Sequence, residues 1–199
     1  MSKWEKSPVF VINKFIEYKL RQQEIIPGIE SYITQLDNST TDIVLPFFLP
    51  VQQTPEMISA YNSALASESE EGFVDLPFGT YTFSISSESD QPFMICGQIT
   101  YTFFSHSVDV ISEIVNYVTD LCKREDWSAA DINDFYKNDD ANPFEFKSIG
   151  VTQTAGPAET EDEGGRFAYM IVVHYESTYE GLNRSYSGET TFSGGLGMW

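Results

Sequence analysis

Leu76-Pro77-Phe78-Gly79-Thr80-Tyr81-Thr82-Phe83-Ser84-Ile85-Ser86 opens the stretch, running on to Glu125, whose reading decides the fold. Reading on from Phe78, Tyr81, Phe83 and Ile85 fall on one face of an extended chain and Thr80, Thr82, Ser84 and Ser86 on the other, the alternation of a half-buried strand. A polar turn at Glu88-Ser89-Asp90-Gln91-Pro92 follows. The alternation then resumes, with Phe93, Ile95, Ile99, Tyr101 and Phe103 opposed by Met94, Cys96, Gln98, Thr100 and Thr102, so the two runs are expected to pair as a hairpin. From Val108 the period changes: Val108, Ile111, Ile114, Val115, Val118, Leu121 and Cys122 recur three and four residues apart, which is one face of a helix. That helix is expected to cover the apolar face of the sheet. Lys123 and Arg124 are expected in its last turn, where they complement the dipole.

Composition narrows the function classes. The chain has 199 residues, of which 41% are hydrophobic and 15% aromatic, enough for one domain with a sizeable core. Thirty acidic residues against eleven basic ones give a net charge of -19, which disfavours affinity for a phosphate backbone. Such acidity still permits a place beside DNA, because a negative wall lets a duplex pass without sticking. Cys96 and Cys122 fall at positions that read as core, so both are expected as free, buried thiols in a reducing compartment. The first residues lack the apolar run of a signal peptide, and no stretch approaches a membrane span. A soluble, untargeted protein is expected.

Outward from the central block, Ser7-Pro8 reads as an N-cap with proline at the first helical position. Ile12, Phe15, Ile16 and Leu20 make the stripe of a first helix ending near Pro27-Gly28. Ile29, Tyr32, Ile33 and Leu36 could extend it as a second short helix. From Ile43 to Pro50 the prolines exclude a central strand. Thr54 reads as the cap of another helix, with Met57, Ile58, Tyr61 and Leu65 at helical spacing. Residues 29–73 thus form a long excursion from the core, of a kind that usually carries function.

Downstream, Ser128-Ala129-Ala130-Asp131 is expected to cap a short helix with Ile132, Phe135 and Tyr136 inward. Phe144 and Phe146 share one parity and Ile149 and Val151 the other, which predicts a bulge near Lys147-Ser148. The last strand is explicit: Phe167, Tyr169, Ile171, Val173 and Tyr175 alternate with Arg166, Ala168, Met170, Val172 and His174. Met170 and Val172 make its second face partly apolar, as for contact with a partner or with the excursion. Between these strands, Ala155 to Gly165 reads as a mobile acidic tip holding Glu159, Glu161, Asp162 and Glu163. Residues 180–199 are polar but carry Tyr186, Phe192, Met198 and Trp199, the pattern of a docking arm. The fold class expected is therefore α+β: one domain over residues 1–179, with an antiparallel or mixed sheet of about four strands and helices on one face. The excursion and the arm are additions to it.

No constellation announces catalysis. His106 and His174 have no serine or cysteine arrangement around them that would make a triad. The acidic cluster lacks the alternate ligand spacing of a calcium loop. Gly194-Gly195-Leu196-Gly197 is not a phosphate loop, since no lysine or helix follows. The reading names no catalytic residue, no metal and no cofactor.

The order of elements, with Pro77-Phe78-Gly79-Thr80-Tyr81-Thr82-Phe83-Ser84-Ile85-Ser86 and then Gln98-Ile99-Thr100-Tyr101, resembles the tail terminator, or tail-completion and neck, proteins of tailed bacteriophages. The resemblance covers roughly residues 7–179. It implies an α+β structural protein of the virion that forms a hexameric ring without catalysis, stops tail-tube growth and joins the tail to the head connector. The implied partners are copies of the chain itself, the tail tube, possible sheath proteins and the connector, with DNA passing unbound and no membrane involved. On that reading Glu159, Glu161, Asp162 and Glu163 are candidates to face the channel. Met170, Val172, Phe192, Met198 and Trp199 are candidates for the interfaces. The alternatives are a soluble ligand-binding α+β module, another neck component, or an enzyme with an unrecognised carboxylate pair.

Overall fold

Pro8 opens the first helix, α1 (Pro8–Gln22), with Ser7 extended before it as N-cap. Proline fits there because its ring presets φ and the missing N–H has no intrahelical acceptor to lose. The Ser7 hydroxyl makes no capping bond. A computed structural model describes residues 7–29, 33–35, 42–44, 47–51, 76–88, 91–123, 125–136, 144–160 and 165–179 of the chain. Helix α1 buries Val9, Ile12, Phe15, Ile16 and Leu20, and ends in a turn where Arg21 pairs with Glu17 and donates to the Pro27 carbonyl. The first helix thus follows its expected stripe.

The next stretch does not continue as a helix. Strand β1 (Ile33–Gln35) pairs antiparallel with β2 (Asp42–Val44). Ile33, Thr34, Ile43 and Val44 are β-branched, and the run after Pro27 is too short to offset the cost of a helix nucleus. Strand β3 (Phe48–Pro50) lies parallel to β4 (Phe78–Glu88) at one edge of the main sheet, a position where the missing N–H of Pro50 is tolerated. The helix expected from Thr54 lies outside the described residues.

Strand β4 and β5 (Gln91–Ser105) pair antiparallel from Phe78↔Phe104 to Ser87↔Ile95 and Glu88↔Gln91. The turn is tighter than expected, since Gln91 and Pro92 already belong to β5. Helix α2 (Val108–Cys122) starts at Ser107, whose hydroxyl accepts from the Val110 N–H at 3.4 Å. It ends at Cys122, so Lys123 stands at its C-cap rather than in its last turn. Helix α3 (Glu125–Phe135) begins before Ser128, so Ser128 is not its cap; its hydroxyl instead donates back to the Leu121 carbonyl and ties α3 to α2. Strands β6 (Phe144–Glu159) and β7 (Phe167–Tyr179) complete a five-stranded mixed sheet in the order β3-β4-β5-β7-β6. The fold is α+β, with one strand more than the periodicity suggested, plus the separate β1–β2 pair.

The core lies between the sheet and the helices. Ile99, Tyr101 and Phe103 of β5 and Ile171, Val173 and Tyr175 of β7 face Ile111, Ile114, Val115 and Val118 of α2, all at most 2% exposed. Two buried hydroxyls fix the helices. Tyr101 donates to Asn13 Oδ1 of α1 at 2.6 Å, and Tyr136 donates to the Val11 carbonyl at 3.1 Å. The Tyr175 ring lies over its cross-strand partner Gly97, where a Cβ would come within 2.4 Å of it. Only glycine leaves room for that ring.

Strand β6 shifts register three times against β7, between Phe146/Ser148, Val151/Gln153 and Ala155/Ala158. The first shift sits where the parity of the apolar residues predicts a bulge. It has a clamp: the Asn133 amide of α3 donates to the Phe146 carbonyl at 2.8 Å, and its oxygen accepts from the Phe146 N–H at 2.9 Å. Asn133→Ala removes two partners of one backbone unit and is expected to cost about 2 kcal/mol. Urea unfolding measures the loss, and amide exchange at Phe146 localises it; unchanged protection there contradicts the clamp.

Candidate functional site

Because directly paired residues share a face, the register divides the sheet into two surfaces. One carries Tyr81, Ile99, Tyr101, Ile171 and Tyr175 and lies under the helices. The other carries Phe78 to Ser86 of β4, Met94 to Phe104 of β5 and Ala168 to Thr178 of β7, at alternate positions. Over those stretches, which stop short of Glu88 at the end of β4, its only formal charge is Glu176. On β6, Glu145 and Lys147 add one charge of each sign, paired at 2.8 Å. A neutral face of this extent stands out in a chain of net charge -19.

Hydroxyl and amide groups dominate this surface. Thr82, Ser84, Ser86 and Gln98 are exposed, while Thr100, Thr102, Phe104 and Met170 are half-buried. Phe78 stacks on Phe104 at 5.0 Å, with the Arg166 guanidinium 5.6 Å from its ring, so that end of the face is closed by aromatic and cationic packing. Val172 is 6% exposed. It therefore helps to consolidate the sheet, and Met170 is the more accessible of the two residues proposed as an interface. Phe192, Met198 and Trp199 lie outside the described residues.

Cys96 belongs to this outer surface and is half-buried, contrary to its expected place in the core. Its strand parity, even among odd core residues, decides this. Cys122 is buried on α2, where desolvation pushes its thiol from 9.0 up to about 12 and keeps it protonated. Burial also raises Tyr101 well above its usual value. For Tyr175, burial and then the neighbouring Cys96 push the phenol up to about 12. These groups stay neutral and structural at ordinary pH.

The acidic tip is shorter than the sequence suggests. Ala155, Ala158 and Glu159 belong to β6, and Glu159 pairs with Phe167 at the end of the hairpin. Strand pairing claims these residues because their backbone groups find partners on β7. Glu159 is exposed. Glu161, Asp162 and Glu163 lie outside the described residues.

Three apolar side chains assigned inward by periodicity are exposed. Phe83 is 37% and Ile85 48% exposed, because they stand on the distal half of the β4–β5 hairpin while the core closes on its proximal half. Phe135, expected inward, is 38% exposed and packs 4.8 Å from the Tyr18 ring, itself 46% exposed. Phe15 backs this pair from the core, 5.6 Å from Phe135. Sequence reading missed the Tyr18–Phe135 patch. The available signal was Tyr18 itself, a large aromatic off the α1 stripe beside Lys14 and Lys19.

Among the described residues, no three histidine, cysteine, aspartate or glutamate side chains gather as a metal site, and no helix is long and apolar enough to cross a membrane. Comparison with protein-family models and with curated proteins finds no match.

Proposed function

We propose that this chain is a structural protein of a tailed bacteriophage, forming a ring at the head–tail junction that terminates the tail tube and docks it to the connector. The neutral outer face of the sheet carries the reading. Copies of a -19 chain repel one another over most of their surface, and assembly needs an area where that repulsion is absent. The sheet supplies it, in the region whose sequence resembles the tail terminator proteins. Glu159 at the end of the β6–β7 hairpin, followed by Glu161, Asp162 and Glu163, would then line a passage that DNA crosses without adhering.

Mass photometry and negative-stain images of the purified chain test the ring. A closed particle of six times the 22.5 kDa chain is expected, and it should cap tail tubes polymerised in its presence at a defined length. A monomer at every concentration, with tubes growing on unchecked, sinks the proposal. Replacing Glu159, Glu161, Asp162 and Glu163 by glutamine tests the passage separately: rings should still form, while DNA release slows. Unchanged release removes the channel role.

A further inference from the structure

We propose that the ring contact is front to back: the neutral outer face of the sheet in one copy receives the Tyr18–Phe135 patch on the helical layer of the next copy. The inference rests on the ring reading and says which two surfaces build it. The surfaces lie on opposite sides of a two-layer fold, one on the strands and one at the meeting of α1 and α3. A contact between unlike surfaces leaves one of each free at the ends of every oligomer, so it propagates until the rotation closes. A contact of the sheet face with itself would stop at two copies and leave Tyr18 and Phe135 in water.

The chemistry of the two sides fits. Tyr18 and Phe135 form a rigid aromatic pair at 4.8 Å, supported from below by Phe15, which is 1% exposed. Preformed aromatic anchors of this kind contribute much of the energy of protein interfaces at little entropic cost. The receiving face offers Thr82, Gln98, Thr100 and Met170, small or uncharged side chains that a ring can approach without desolvating an ion. Apart from the Glu145–Lys147 pair on β6, the charge it carries between Met94 and Phe104 and between Ala168 and Thr178 is Glu176, which is exposed. Lys14 is exposed one turn before Tyr18 on α1, and Lys19 is adjacent, so a cation is available opposite it. Asp131 and Asp134, exposed on α3 beside Phe135, belong to the rim, where they oppose a parallel docking of two acidic copies in the wrong register.

Two single variants of the full-length chain and their mixture test this. Thr100→Arg places a cation in the sheet face, and Tyr18→Glu places an anion in the aromatic patch. Each variant alone is expected to be a 22.5 kDa monomer by mass photometry, while the equimolar mixture forms a dimer, because each copy retains the surface that the other lacks. Thr82→Arg and Phe135→Glu serve as second variants, and circular dichroism with urea unfolding verifies that all four fold. If wild type forms rings and both variants form them equally well, the contact is wrong and the ring stands. If Tyr18→Glu assembles normally while Thr100→Arg is monomeric and the mixture holds no dimer, the sheet face meets another surface and the proposal falls. A wild-type chain that never assembles overturns the ring itself.

Discussion

Replacing Phe103 by alanine is expected to cost about 3–5 kcal/mol, the range for deleting a fully buried phenylalanine. Phe103 is 0% exposed on β5, with its ring centre 6.2 Å from Phe47, 6.0 Å from Phe48 and 6.1 Å from Tyr101. Those rings attach β3 to the sheet. The three pairs of β3 with β4 are too few to hold it alone, so the variant should lose protection at β3 before the rest of the fold opens. Phe104→Ala, one residue on and half-buried on the outer face, should cost distinctly less. Equal losses in urea would mean that the register assigns the two faces wrongly.

Stability should also fall steeply in alkali, beginning near pH 9. The Cys122 thiol, ordinarily near 9.0, is pushed up to about 12 in the folded chain by burial on α2. Above pH 9 the unfolded chain releases this proton while the folded one retains it, so the folded state binds more protons and loses stability as pH rises. The slope is about 1.4 kcal/mol per pH unit, which accumulates to roughly 4 kcal/mol by pH 12. Tyr101 and Tyr175, both raised by burial, add to the fall once the pH passes 10.0. Urea midpoints between pH 8 and pH 10 isolate the thiol. Cys122→Val should flatten the curve in that window, and an unchanged slope would place the cause elsewhere.

Periodicity located the hairpin, the long helix and the last strand because each has a run long enough to show its repeat. Ile99, Tyr101 and Phe103, or Ile111, Ile114, Val115 and Val118, are buried where the pattern puts them. It failed where runs were short. Ile33-Thr34-Gln35 is a strand because of a partner at Asp42–Val44, a fact of pairing that no local repeat contains. Exposure at Phe83, Ile85 and Phe135 was equally illegible, since alternation gives the side of an element and not the extent of what covers it. The bulge at Phe146/Ser148 was readable from a switch of parity, whereas its clamp by Asn133 depends on α3 lying beside β6. The neutral face was written in the sequence as a stretch without charges from Leu76 to Ser87. Its extension over β7 required the register.

The broken register of β6 has a consequence for how far order can spread. Three dislocations in sixteen residues, with Gly156-Pro157 at the third, leave that border with no straight row of donors and acceptors for a foreign strand to copy. The backbone of Phe146 is already occupied by a side chain. On that side the sheet cannot serve as a template for fibre growth, even where copies crowd together. Copies that meet across that border must meet surface on surface, where the angle between neighbours, and not the supply of subunits, limits how far an assembly can grow.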